Sequence, residues 1–247
     1  MSHARTGWKQ RKKVSRFGTG TLSVTGWIAL LPMLLSLTTL VDTAGAQGDF
    51  SSRLVPILGV TREVSPTGTV AYIILSFEKR TDQRGLTVHY KNGPGRFSQV
   101  AQTATEQAIH RTAHALGLST DSWTVLLSVP YQGTTIYGNS LSAMVALSVV
   151  ALAKGEVIPP DRVITGTVTP DGRIGPVSGI PLKVTAANQA RLRMVLVPDK
   201  QETTQGNWEI PSSMQVSQVD SVSQAYQALT APQSSIAGSF FLVSDEH

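Results

Sequence analysis

Between Tyr137 and Gly155 the chain reads YGNSLSAMVALSVVALAKG, an apolar helix pattern with two serines, Ser140 and Ser142, at its first turn. Such a helix needs a core around it. A chain of 247 residues, 41% hydrophobic and 15% charged, can supply one. The two serines can be read in two ways. Serine is a favoured helix starter, and a serine at a helix N-terminus is also well placed to act as a nucleophile. A nucleophile needs a base to activate it, and no histidine lies near this stretch.

The formal charge of +5 suggests a nucleic-acid partner until its distribution is read. Residues 1–46 hold six cations (Arg5, Lys9, Arg11, Lys12, Lys13 and Arg16) against one acid, Asp42. Fifteen cations and fifteen acids remain, so the body is formally neutral and has no electrostatic reason to bind phosphates. Residues 1–46 read as a targeting segment. A basic stretch to Arg16 precedes an uncharged run from Phe17 to Val41, and Ala44 and Ala46 form the small-x-small pattern of a signal-peptidase site. Two fates follow. A cleaved leader is favoured, because Pro32 and the Ser/Thr content make a poor permanent span. An uncleaved anchor through residues 17–41 is the alternative, and membrane contact would then be confined to that segment. Both export the body, to the periplasm or the exterior if the source is bacterial. The chain has no cysteine, so disulfides and thiolate metal sites are excluded.

Residues 47–232 read as one α+β domain, followed by a weakly patterned tail, 233–247. Strands are expected in RLVPILGVTREV, GTVAYIILSFEK, RGLTVHY, WTVLLSVP, DRVITGTV, IGPV and RMVLVP. Helices are expected in FSQVAQTATEQAIHRTAHALGL, from Ser140 to Lys154, in PLKVTAANQAR with Pro181 at its first position, and near Ser221–Leu229. The Ser/Gln-rich stretch before that last helix reads as loop.

Absent motifs narrow the chemistry. There is no G-x-x-x-x-G-K-S/T, no H-E-x-x-H and no G-x-S-x-G. Of five histidines, His3 lies in the leader, His89 in a strand and His247 at the end. His110 and His114 share a helix face at i, i+4, a start for a metal site that lacks a third ligand; an exposed helix face is the simpler reading. No cofactor is expected. A serine can instead use a neutral lysine as base. Free lysine titrates at about 10.4 and a working base needs about 7–8. Burial supplies such shifts, so the lysine to find is a lone one in an apolar stretch. Lys183 fits: it sits in PVSGIPLKVTAA with no other charge between Arg173 and Arg191. It also falls in the first turn of its helix, where the positive dipole end would lower its pKa further. The competing reading is a lysine snorkelling over the edge of a core.

The ordered set of motifs resembles the proteolytic domain of the Lon protease family. It comprises Gly138-Asn139-Ser140 at a helix start, Gly155 at the helix end, Thr165-Gly166, Pro176 to Gly179, and Lys183 four residues after that glycine. The Ser140-to-Lys183 interval of 43 residues is the family's own, and Ala186, Ala187, Ala190 and Val195–Pro198 continue the match. The resemblance runs over about residues 54–230. It implies a Ser140–Lys183 dyad, with Thr165 orienting the lysine; a plain strand-end threonine is the other reading. It also implies polypeptide substrates, and a homo-oligomer remains open because the family forms rings. The chain departs from the family at four positions. Leu141 replaces the usual Ala, Ser178 replaces a Gly, Thr167 stands where bacterial members often carry Glu, and Tyr137 replaces an acid. Two functions stay open: an exported, ATP-independent serine endopeptidase, or an inactive scaffold domain of the envelope that kept the fold.

Overall fold

The 12-residue stretch GTVAYIILSFEK alternates, and its burial follows: Ile73, Leu75 and Phe77 point into the core from one face of a strand. A computed structural model describes residues 50–200 and 210–232, all within one compact unit spanning Gly45–His247. The leader, residues 1–46, and the tail 233–247 lie outside the described residues, so the expectations of export and anchoring rest on sequence alone. No helix among the described residues is long and apolar enough to cross a membrane.

β1 (Ser51–Val60) and β2 (Gly68–Lys79) form a long antiparallel hairpin, in register from Ser51 opposite Phe77 to Val60 opposite Gly68. β3 (Thr87–Tyr90) and β5 (Trp123–Ser128) complete a four-stranded sheet in the order β1-β2-β5-β3. β5 runs antiparallel to β2 and parallel to β3. A parallel pair needs a crossover, and α1 (Gln99–Ala115) provides it. Ser98 caps α1, its side chain accepting from the Ala101 N–H at 3.3 Å. Two short strands flank these elements, β4 (Arg96–Phe97) and β6 (Thr135–Ile136), paired with each other in parallel.

α2 (Ser142–Ala153) is buried at every position from Ser142 to Ala151. A helix apolar on all sides must be enclosed, and α2 packs against α1, β1, β2 and the second sheet. That sheet is parallel, ordered β11-β10-β7, from β7 (Arg162–Ile164), β10 (Met194–Pro198) and β11 (Gln215–Val219). α3 (Ile180–Gln189) bridges β7 to β10, and α4 (Val222–Thr230) follows β11. The hairpin of β8 (Thr167–Val168) and β9 (Ile174–Gly175) turns at Gly172, whose φ is 74°. The described residues thus form a mixed α/β architecture of four helices and several sheets, in keeping with the α+β class expected.

Three details differ from the sequence reading. DRVITGTV breaks at Thr165–Gly166 into β7 and β8, because the chain leaves the parallel sheet there to approach Ser140. α2 starts at Ser142, two residues later than expected. QVSQV in the Ser/Gln-rich stretch is β11, whose mixed exposure and polar composition hide its partner β10.

Candidate active site

Ser140 lies on the turn that brings the chain from β6 into α2. Gly138 makes the turn at φ 79°, a region that side chains rarely adopt. The Ser142 N–H closes it on the Asn139 carbonyl at 3.0 Å, and Leu141, 3% exposed, anchors it in the core. The first of the two serines is therefore outside the helix and half-buried, while Ser142 is the first helical residue and fully buried. Among the described residues, the N–H groups of Ser140 and Leu141 donate to no acceptor.

The break after β7 meets this turn. The Gly166 N–H donates to the Ser140 carbonyl at 2.9 Å, and the Ala143 N–H donates to the Gly166 carbonyl at 3.2 Å. Gly166 is required by this approach, since a Cβ there would lie 2.7 Å from Ile174 Cγ2. Thr165, fully buried, is held by its N–H to the Leu196 carbonyl of β10 at 3.0 Å. Its hydroxyl faces the Ser140 carbonyl at a long 3.5 Å.

Lys183 arrives from α3. Gly179 caps that helix at φ 69°, with Val60 against it, and the Lys183 N–H makes a helical bond to the Gly179 carbonyl at 3.0 Å. Gly68 lets the hairpin lie on α3, because a Cβ there would fall on the Leu182 carbonyl oxygen. The Lys183 side chain is 3% exposed, and its Nζ donates to Thr165 Oγ1 at 3.1 Å. Burial pulls its pKa from 10.5 down to about 8. Desolvation is the cause, and it follows from the apolar setting of the lone lysine. Among the described residues no hydrogen bond joins Lys183 Nζ to Ser140 Oγ; Thr165 links the two through Nζ and the Ser140 carbonyl.

Ser140 and Lys183 line one cleft of about 500 Å³, together with residues of β1 and with Tyr137, Leu141 and Ser178. Three of the family departures, Tyr137, Leu141 and Ser178, therefore sit on the cleft wall, while Thr167 is in β8. The sequence reading did not anticipate Arg62. Its guanidinium lies 4.0 Å from the centroid of the Tyr137 ring, at the same cleft. No local pattern signals this pair, which comes together only when the β1–β2 turn packs beside the segment before Ser140. His110 and His114 are exposed on α1, with His110 Nδ1 3.1 Å from Thr120 Oγ1. Among the described residues no cluster of three or more His, Cys, Asp or Glu is placed to hold a metal.

A family model described as Lon protease (S16) C-terminal proteolytic domain matches residues 96–231. The chain is similar to a protein named "Lon protease homolog, mitochondrial" from Zea mays, 30% identical over 104 residues. That similarity covers 41% of this chain and 11% of the maize protein, so the chain spans a small part of that relative's length.

Proposed function

The chain belongs to the Lon protease C-terminal proteolytic domain family, and from that premise we propose that it is a serine endopeptidase whose dyad is Ser140 and Lys183. The observation that carries the proposal is the buried amine of Lys183, held on Thr165 in the cleft that Ser140 also lines. A lysine titrating at about 8 is neutral in about one molecule in ten at pH 7 and in half at pH 8, and the neutral form is the one a general base needs.

In the proposed reaction, Lys183 Nζ takes the proton of Ser140 Oγ as that oxygen bonds to the peptide carbonyl carbon. The Ser140 side chain turns from its resting position toward Nζ to do so. The carbonyl oxygen gains the negative charge, and the unengaged N–H groups of Ser140 and Leu141 are the donors proposed to receive it. The carbon–nitrogen bond then breaks. The Lys183 ammonium returns its proton to the leaving amine, and the acyl group remains on Ser140. Water attacks that ester, giving its proton to Lys183, and the new carboxyl end departs as Ser140 recovers its hydrogen. Thr165 positions the amine throughout by accepting one of its N–H bonds.

Cleavage of unfolded or flexible polypeptides without ATP is part of this proposal, and these 247 residues carry no P-loop motif. Export to the periplasm or exterior is proposed from the basic-then-apolar leader, and whether this domain assembles into a ring as its family does stays open. Incubating the full chain with casein tests the central claim. Cleavage should be lost in both Ser140→Ala and Lys183→Ala. Cleavage surviving in both variants overturns the dyad, and no cleavage by the wild type favours a non-catalytic envelope domain.

A further inference from the structure

The charged side chains lining the cleft are Lys183 and Arg62, and no carboxylate joins them. Lys183 is buried at the floor. Arg62 is exposed, two residues beyond the end of β1, in the turn that leads to β2. The acid beside it in sequence, Glu63, does not line the cleft. Among the described ion pairs none involves Arg62. A surface arginine without a carboxylate is ordinary. One held over an aromatic face beside a nucleophile is less so. The Tyr137 ring lies 4.0 Å from the guanidinium carbon and belongs to the segment that carries Ser140 three residues later. The ring covers one face of the guanidinium and leaves its N–H edge open to a ligand, and a planar fork suits a carboxylate.

The rest of the cleft offers nothing else that selects charge. Leu58, Ile136 and Leu141 are apolar, and Thr134, Thr135 and Ser178 are neutral. We propose that Arg62, stacked on Tyr137, is a specificity determinant that selects peptides carrying an acidic side chain close to the bond that is cut. Basic side chains at that position are disfavoured, since they would meet Arg62. The inference rests on the peptidase reading for its reaction, but not for its binding.

The test uses the full chain and quenched fluorescent peptides that differ only by Glu, Gln or Lys at one position, scanned from three residues before the cut to three after. At one position kcat/KM should follow the order Glu, Gln, Lys. The Glu-to-Gln ratio should be about fivefold, the size of an exposed ion pair with a fixed fork, and it should shrink as salt is raised. Arg62→Gln should bring the ratio to about one, and Arg62→Glu should reverse it in favour of Lys. Fluorescence anisotropy with the same peptides reads binding separately. Equal cleavage of Glu and Gln peptides at every position overturns the inference and leaves the peptidase reading intact. So does a preference that survives in Arg62→Glu. If no peptide is cut, acid-selective binding that Arg62→Glu abolishes sustains the inference while the peptidase reading falls. Absence of both cleavage and binding overturns the two together.

Discussion

Replacing Lys183 by Met should make the protein more stable near neutral pH while abolishing cleavage. Met keeps a similar length and apolar stem but carries no charge. In the wild type, the folded-state pKa of Lys183 is depressed to about 8 from an ordinary 10.5. Below pH 8 both folded and unfolded lysine are protonated, so the folded state carries the full cost of a buried ammonium. Between about 8 and 10.5 the unfolded chain binds more protons, and wild-type stability gains with pH from this group. At about 1.36 kcal/mol per pH unit, the interval amounts to about 3 kcal/mol. Met also removes the hydrogen bond to Thr165, worth about 1 kcal/mol. The variant should thus gain about 2 kcal/mol at pH 7 and lose that advantage by pH 10.5. Urea denaturation of both proteins at half-unit steps from pH 6.5 to 10.5 measures the difference. Burial holds Tyr90 and Tyr226 well above this range in the folded protein, and the tyrosines of the unfolded chain are common to both proteins and cancel. A stability difference that does not change with pH would refute the argument, because it would mean that folding does not perturb the lysine.

Three further outcomes follow from the geometry. Thr165→Val should lower kcat/KM about tenfold, the cost of one lost positioning bond of about 1.4 kcal/mol. Its rising pH limb should move to lower pH, because the ammonium loses a partner; a pH–rate profile shifted upward would contradict this. Gly68→Ala should destabilise the fold by about 2–3 kcal/mol and reduce activity per folded molecule, since its methyl would push on the Leu182 carbonyl beside Lys183. Thermal melts together with activity of the soluble fraction read both effects, and an unaltered rate would show that α3 can yield without moving the base. Arg162→Ala should cost about 3 kcal/mol and leave the catalytic rate of folded molecules unchanged. The reason is that buried Arg162 Nη1 donates to the carbonyls of Ala228, Leu229 and Ala231 at the end of α4.

What could be read from the sequence depended on how local the cause was. The alternating β2 and the apolar run of α2 announce themselves, because one chain segment carries the whole pattern. Lys183 was visible as a lone cation in an apolar stretch, and burial is the cause of its lowered pKa. The helix-end contribution expected beside it is not needed. β11 was missed because QVSQV looks like loop until β10 is beside it. The break at Thr165–Gly166 was missed because both residues extend a strand-like run. The bonds that bend the chain there come from Ser140 and Ala143, more than twenty residues earlier. Arg62 over Tyr137 had no signal at all, since the pair is separated by 75 residues and meets only in the folded chain.

The backbone bonds that join Ser140 and Ala143 to Gly166 have a consequence for how the cleft deforms. They tie the serine's segment to a buried residue two positions beyond β7 and to a helix enclosed on all sides. Amide protons at such positions should exchange only when the whole domain opens, and those of the exposed 61–67 turn through local fraying, which hydrogen exchange reads directly. The segment of Ser140 should therefore be stiffer than the 61–67 turn. Substrates of different bulk would be accommodated by movement of the turn that carries Arg62, while the position of Ser140 stays fixed. Loss of the site on heating would then coincide with global unfolding and would not precede it.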